Sequence, residues 1–237
     1  MESVKISAIV LIGGKVDKDL LKKCLDSVSW CDEVVKVETD ILKGSFAEWR
    51  NEGVKRAKGD WILYVDSDEE MSDKLREETI IVMENHKYNA YAIPRRNFIF
   101  GKEFKHSGEW PDYQKRLFLK SKFKGFTGEL HEEPNFEGEI GHLKNTLIHH
   151  KNISISEMVE KTNKWSGIEA KLMFDAGHPP MNIFRFASAG FREFWKRMII
   201  QVAFLDGVEG IIYALYQVYS RLISYSKLWE LQLQSKK

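Results

Sequence analysis

The chain has 237 residues, 43% of them hydrophobic and 30% charged, which excludes a disordered or low-complexity chain and supplies material for a sizeable core. Lys and Arg number 36 against 35 Asp and Glu, a net charge of +1, so there is no global positive field and nucleic acid is not an expected partner. Two cysteines, Cys24 and Cys31, exclude a disulfide scaffold and a Cys-rich zinc site and point to a reducing compartment.

The apolar run Ile6 to Ile12 is short, lacks a small-residue cleavage site and meets Gly13-Gly14. It predicts a strand buried on both faces, not a signal peptide. Asp17 is placed to cap a helix whose apolar stripe is Leu20, Leu21, Leu25 and Val28. Glu33 to Glu38 reads as a second strand, 46 to 57 as a helix stopped before Gly59, and Trp61 to Val65 as a third buried strand. The acidic run Asp66-Ser67-Asp68-Glu69-Glu70 follows, and Ser72 opens a helix to about Asn85. This alternation predicts an α/β fold with a doubly wound parallel sheet. After residue 88 the pattern changes to short strands at 90 to 94, 116 to 120 and 146 to 149 between Gly-rich loops, and from Ser156 onward it is helical. The expected division is residues 1–155 as the α/β domain and 156–237 as a helical C-terminal extension.

The chemistry points to Asp66-Ser67-Asp68. In open α/β sheets ligands bind beyond the carboxyl ends of the strands. Two carboxylates one residue apart there can reach a divalent cation and a ribose together. Hard oxygen ligands suit Mg²⁺ or Mn²⁺, ions that usually arrive with substrate phosphates. The competing reading is a solvated acidic loop favoured by the dipole of the next helix.

The segment Lys58-Gly59-Asp60-Trp61-Ile62-Leu63-Tyr64-Val65-Asp66-Ser67-Asp68-Glu69 resembles the D-x-D region of family 2 glycosyltransferases with the GT-A fold. Within that family the chain is most similar to the branch of lipopolysaccharide-core β-1,4-glucosyltransferases. The resemblance rests on Arg50-Asn51, Trp110-Pro111-Asp112, Gln114-Lys115-Arg116-Leu117-Phe118, Gly128-Glu129-Leu130-His131-Glu132 and Leu147-Ile148-His149. It implies a GT-A domain that moves a hexose, with inversion, from a nucleotide diphosphate sugar resembling UDP-glucose to a glycan or lipid-linked acceptor such as lipopolysaccharide core.

By the same resemblance, Asp66 contacts the nucleoside ribose and stands with Asp68 among the metal ligands, with Asp68 holding the metal and His131 and His149 as further metal or phosphate contacts. Glu38 falls where the nucleobase-contacting acid stands, and Arg50, Asn51 and Arg116 belong to the donor site. Trp110, Asp112 and Gln114 belong to the acceptor site. Glu132 is the general base, with Glu129 as the runner-up; an acceptor hydroxyl must lose its proton as it attacks the anomeric carbon.

Alternatives stay open at several positions. His131 could be structural, Trp110 could be core and Arg116 could form an ordinary salt bridge. Arg95 and Arg96 read as a solvated turn, Cys24 as core and Cys31 as a loop residue. Gly13-Gly14-Lys15 is a weak hint of the triphosphate loop of a sugar nucleotidyltransferase. A catalytically inactive nucleotide- or glycan-binding module is the rival from outside the enzymes.

Near the C-terminus Phe184, Ala187, Phe191, Phe194, Met198, Val202 and Leu205 recur at helical spacing, with Arg185, Arg192, Lys196 and Arg197 outside the stripe. Val208, Ile211, Leu215, Val218, Leu222 and Trp229 form a second stripe after Asp206-Gly207. Asp206, Glu209 and Arg221 interrupt the apolar run, so no stretch reaches the roughly 18 apolar residues that a span requires. The stripes either pack on the α/β domain or on a second subunit of a homodimer, or they lie on a membrane. The expected location is the cytoplasm, with peripheral contact to the cytoplasmic face of the membrane as the further option.

Overall fold

Apolar runs alternating with capped helices build three parallel strands first. β1 (Ile6–Ile12), β2 (Glu33–Glu38) and β3 (Trp61–Asp66) pair in the order β2-β1-β3, with Ala8 opposite both Val34 and Leu63. The computed structural model describes residues 5–14, 16–128, 132–152 and 154–235. α1 (Lys18–Ser27) begins at Asp17, whose carboxylate accepts from the backbone N–H groups of Asp19 and Leu20. α2 (Phe46–Arg56) begins in a capping box in which Ser45 and Glu48 each satisfy the other's backbone N–H. β3 buries both faces. Trp61, Leu63 and Val65 pack with Cys24, Val28 and Leu75, whereas Ile62 and Tyr64 pack with Ile9, Val37, Phe118 and Phe126.

Beyond β3 the sheet becomes mixed. The elements that follow are β4 (Glu69–Met71), α3 (Asp73–Asn85), β5 (Ala90–Ile99), β6 (Lys102–Glu103), β7 (Asp112–Leu119), β8 (Phe123–Thr127), β9 (Glu133–Phe136), β10 (Ile140–His142) and β11 (Leu147–Asn152). Among the described residues the sheet has the order β2-β1-β3-β7-β5-β11-β4, with β6 and β10 pairing with β5. β7 runs antiparallel to both β3 and β5, so the parallel alternation ends at β3. The physical reason is the lack of crossover helices after residue 88, since only a long crossover lets neighbouring strands run parallel. β8 and β9 form a separate antiparallel pair. β11 returns antiparallel to β4 and sets His149 opposite Glu69.

The chain forms two compact units. One contains the described residues up to Arg96 together with 111–150; the other contains residues 97–110 and those from Lys151 onward. In the second unit α4 (Ile155–Asp175) and α5 (Ile183–Trp195) pack on α6 (Gly207–Gln234). Ile99, Phe104, Met158 and Tyr213 make one buried cluster there, and Ala170, Met181 and Leu228 make another. The helical stripe expected to run from Phe184 through Leu205 is broken. α5 ends at Trp195, a π-helical turn covers 196–200, and Val202 takes a left-handed φ of 44°. Buried Asp206 holds the bend, accepting from the backbone N–H groups of Lys105 and His106 and from the Ser107 hydroxyl.

Candidate active site

The site begins where β3 ends. Asp66 leaves the strand, the chain turns, and Glu69 returns beneath it on β4. A Glu69 oxygen accepts the Asp66 backbone N–H at 3.0 Å, and the Glu69 side chain is 0% exposed. Its other oxygen accepts from Arg95 at 3.0 Å and from Arg116 at 2.7 Å. Arg116 also donates to Asp66 Oδ2. Arg50, on α2, donates through Nη2 to Asp66 Oδ1 at 2.9 Å and through Nε to Glu132 Oε1 at 3.2 Å. Arg95 closes the array on Asp112 at 2.7 Å, and Gln114 donates to the other Asp112 oxygen at 2.7 Å.

Three guanidiniums and four carboxylates therefore interlock within the first unit. Buried charges survive only when paired and hydrogen-bonded, and this array meets that condition. Arg50 is further held 5.4 Å from the Tyr64 ring centre and 5.5 Å from that of Phe126. The Tyr64 hydroxyl donates to the Arg50 carbonyl at 3.0 Å, fixing the helix to the strand at this point. Burial alone would raise the Asp66 carboxyl, but Arg116 and Arg50 outweigh it and hold the group well below the ordinary carboxylate range. Burial also opposes the charge on Arg116; Asp66 and Glu69 overcome it and push that guanidinium above its ordinary value.

Asp68 stands apart from this array. Its side chain is 43% exposed, and His149 Nε2 lies 3.7 Å from its Oδ2. The backbone N–H of His150 donates to the Asp68 carbonyl at 3.0 Å, which fixes the turn against β11. Both Asp66 oxygens carry guanidinium bonds, so Asp68 and His149 are the groups placed to take a cation. Among the described residues no set of three His, Cys, Asp or Glu side chains could enclose a metal. The Asp68 carboxylate suits a hard cation that brings phosphate oxygens and water as its remaining ligands, and the His149 imidazole is the softer of the two groups. His131 and Glu129 lie outside the described residues.

Other expected site residues are placed differently. Asn51 clamps the backbone of Phe126: its amide donates to the carbonyl at 2.9 Å and its oxygen accepts the N–H at 2.7 Å. Glu38 is exposed at the carboxyl end of β2. Trp110 is exposed and belongs to the second unit, whereas Asp112 and Gln114 belong to the first. The Gly14 N–H, part of the glycine turn read as a hint of a triphosphate loop, donates to Asp40 at 2.8 Å; Lys15 lies outside the described residues. Sequence reasoning missed Glu69 and Arg95. Arg95, read as a solvated turn residue, instead lies within β5 and pairs with Glu69 and Asp112. Its signal was a pair of arginines after the run Ala90 to Pro94, a pattern equally consistent with a loop.

Residues 31–144 match the model of glycosyl transferase family 2. Over this segment, just under half of its length, the chain is similar to the family 2 glycosyltransferases. An uncharacterized glycosyltransferase of Rickettsia bellii is 31% identical over 75% of this chain, and the match spans 64% of that protein's length. An uncharacterized glycosyltransferase of Rickettsia conorii is 28% identical over 98% of this chain and 92% of its own length. The lipopolysaccharide core biosynthesis glycosyltransferase LpsC of Rhizobium meliloti is 22% identical over 68% of this chain and 69% of its own length. The match to the family model and the mixed α/β sheet with helices agree with the GT-A domain and helical extension implied by the sequence resemblance.

Proposed function

We propose that this protein is an inverting hexosyltransferase that moves a sugar from a nucleotide diphosphate donor, resembling UDP-glucose, to a hydroxyl of a glycan or lipid-linked acceptor. The observation that carries the reading is the Arg50 fork, which ties the strand-exit carboxylate of Asp66 to Glu132. The match of residues 31–144 to the family 2 model supports the reaction class. Similarity to LpsC supports an acceptor of the lipopolysaccharide-core kind.

In this reading Arg50 holds Glu132 by Oε1 and leaves Oε2 to receive the acceptor proton. The acceptor oxygen attacks the anomeric carbon as its O–H bond breaks and the proton passes to Glu132. The bond from the anomeric carbon to the diphosphate oxygen breaks, and the electron pair leaves with the nucleoside diphosphate. A single displacement inverts the anomeric centre and needs no covalent enzyme intermediate. Asp68 and His149 would hold Mg²⁺ or Mn²⁺, which when bound offsets charge on the departing diphosphate. Asp66, fixed as a carboxylate, and the guanidiniums around it form the polar floor against which the donor's ribose and phosphates are oriented. Glu38, at the carboxyl end of β2, is assigned to the nucleobase, and Asp112 and Gln114 are assigned to the acceptor.

The test is a transfer assay with UDP-, GDP-, ADP- and dTDP-hexoses, with and without Mn²⁺. Release of nucleoside diphosphate coupled to a new inverted glycosidic bond supports the reading. Pyrophosphate release from a nucleoside triphosphate and a sugar phosphate would mark a nucleotidyltransferase, and binding without turnover an inactive module.

A further inference from the structure

The second unit presents an apolar face to solvent around the α5–α6 bend. Phe184, Phe191 and Trp195 on α5 are exposed, and the exposure continues through Ile200, Leu205 and Val208; Phe184 is 81% and Ile200 68% exposed. Monomeric proteins in water rarely leave so many large apolar side chains exposed on consecutive turns, and such patches usually mark an interaction surface. Between residues 183 and 205 the exposed charge has one sign. Arg185, Arg192 and Lys196 are exposed beside it. The only acid between residues 183 and 205 is Glu193, which is buried and paired with Arg197 at 2.7 Å. Among the described residues no single helix is long and apolar enough to cross a membrane. The segments 183–200 and 203–234 have the required composition only as a pair, bent by 62°.

We propose that the α5–α6 bend is a lipid-binding surface that docks in the plane of an anionic phospholipid bilayer. Apolar and aromatic side chains enter the boundary between headgroups and acyl chains, and Trp195 sits at headgroup level. Arg185, Arg192 and Lys196 pair with lipid phosphates. The charge pattern favours this occupant over a second copy of the chain. The same 183–205 face on a second copy offers these cations no exposed acid to pair with, whereas an anionic leaflet neutralises them. The inference concerns the second unit alone and does not depend on the glycosyl-transfer reading.

Sedimentation of the full chain with phosphatidylglycerol-containing vesicles, against pure phosphatidylcholine vesicles, tests it without donor or acceptor. Binding is expected only to the anionic vesicles at low salt and is expected to weaken as salt rises. Replacing Arg185, Arg192 and Lys196 by Gln should lower the partition coefficient on the order of 10²-fold, at roughly fivefold per cation. Phe184→Ser with Phe191→Ser should abolish binding; both positions are exposed, so unchanged circular dichroism and melting would show an intact fold. Failure to bind anionic vesicles at low salt, or undiminished binding by both variants, would overturn the proposal. So would a dimer in light scattering that the two Phe substitutions dissociate while vesicle binding stays absent, because a second copy would then cover the face.

Discussion

Asp66 and Glu132 share one guanidinium: Arg50 donates to the first at 2.9 Å and to the second at 3.2 Å. The strand exit and Glu132, the residue before β9, are thereby positioned by a single side chain on α2. Lys cannot reproduce this, because an ammonium is a point charge without the planar fork. Arg50→Lys is therefore expected to fold but to lose turnover at least tenfold with little change in donor affinity. Arg50→Ala, which leaves Glu132 without this contact and Asp66 with Arg116, is expected to cost about 3 kcal/mol in urea unfolding, the lower end for breaking a buried pair.

The acid limb of the stability curve depends on Asp66. Its folded-state pKa is depressed below the ordinary 3.8. The stability this linkage contributes is fully present above that ordinary value and is lost progressively as pH falls below it toward the folded-state value. Removing the titrating group should remove that part of the slope. Unfolding free energies of wild type and Asp66→Asn, measured from pH 6 down to pH 2, should converge as the pH falls. A constant gap between them would mean that Asp66 titrates alike in the folded and unfolded chain.

Much of this site could be read in the sequence, for reasons specific to each residue. The run Trp61 to Val65 followed by Asp66 signals a buried strand with acids at its exit, and the Arg50, Arg116 and Glu132 motifs point to partners that the fold brings together. Glu69 was hidden because an acid one residue after Asp68 looks like part of a solvated run. Its burial comes from the pairing of β4 with β11, far away in sequence. The short strands β8, β9 and β10 carry no clear alternation, and their pairing partners decide their conformation. The stop of α5 at Trp195 was equally hidden, since the apolar period continues through Met198; the bend depends on Asp206 reaching Lys105, His106 and Ser107.

Asp68 is expected to be required for the metal response. Its side chain is exposed and outside the interlocked array, so Asp68→Ala should melt within a degree or two of wild type. The stabilisation that Mn²⁺ adds in the presence of a nucleotide diphosphate should disappear in this variant, because a ligand that binds the native state raises stability by mass action. An undiminished Mn²⁺-dependent shift in Asp68→Ala would move the cation elsewhere.

The two thiols should be unreactive in the native protein. Burial pushes both Cys24 and Cys31 up to about 12, and neighbouring acids add to the effect. At pH 8 a disulfide reagent should modify neither until urea unfolds the chain, after which both should react. Fast modification of either thiol in the folded protein would contradict the packing of α1 and the loop after it against the sheet.

The central claim is that Glu132 takes the acceptor proton in a hexosyl transfer. It is tested most directly by Glu132→Gln, assayed for donor binding by calorimetry and for transfer under single-turnover conditions, with Glu129→Gln as the comparison. The amide keeps the shape and the contact with Arg50 but cannot accept a proton. The account predicts donor binding close to wild type and a loss of roughly 10²–10⁴-fold in the transfer rate, the range for removal of a positioned general base, with a smaller loss for Glu129→Gln. Transfer by Glu132→Gln at the wild-type rate, or a larger loss in Glu129→Gln, would contradict it.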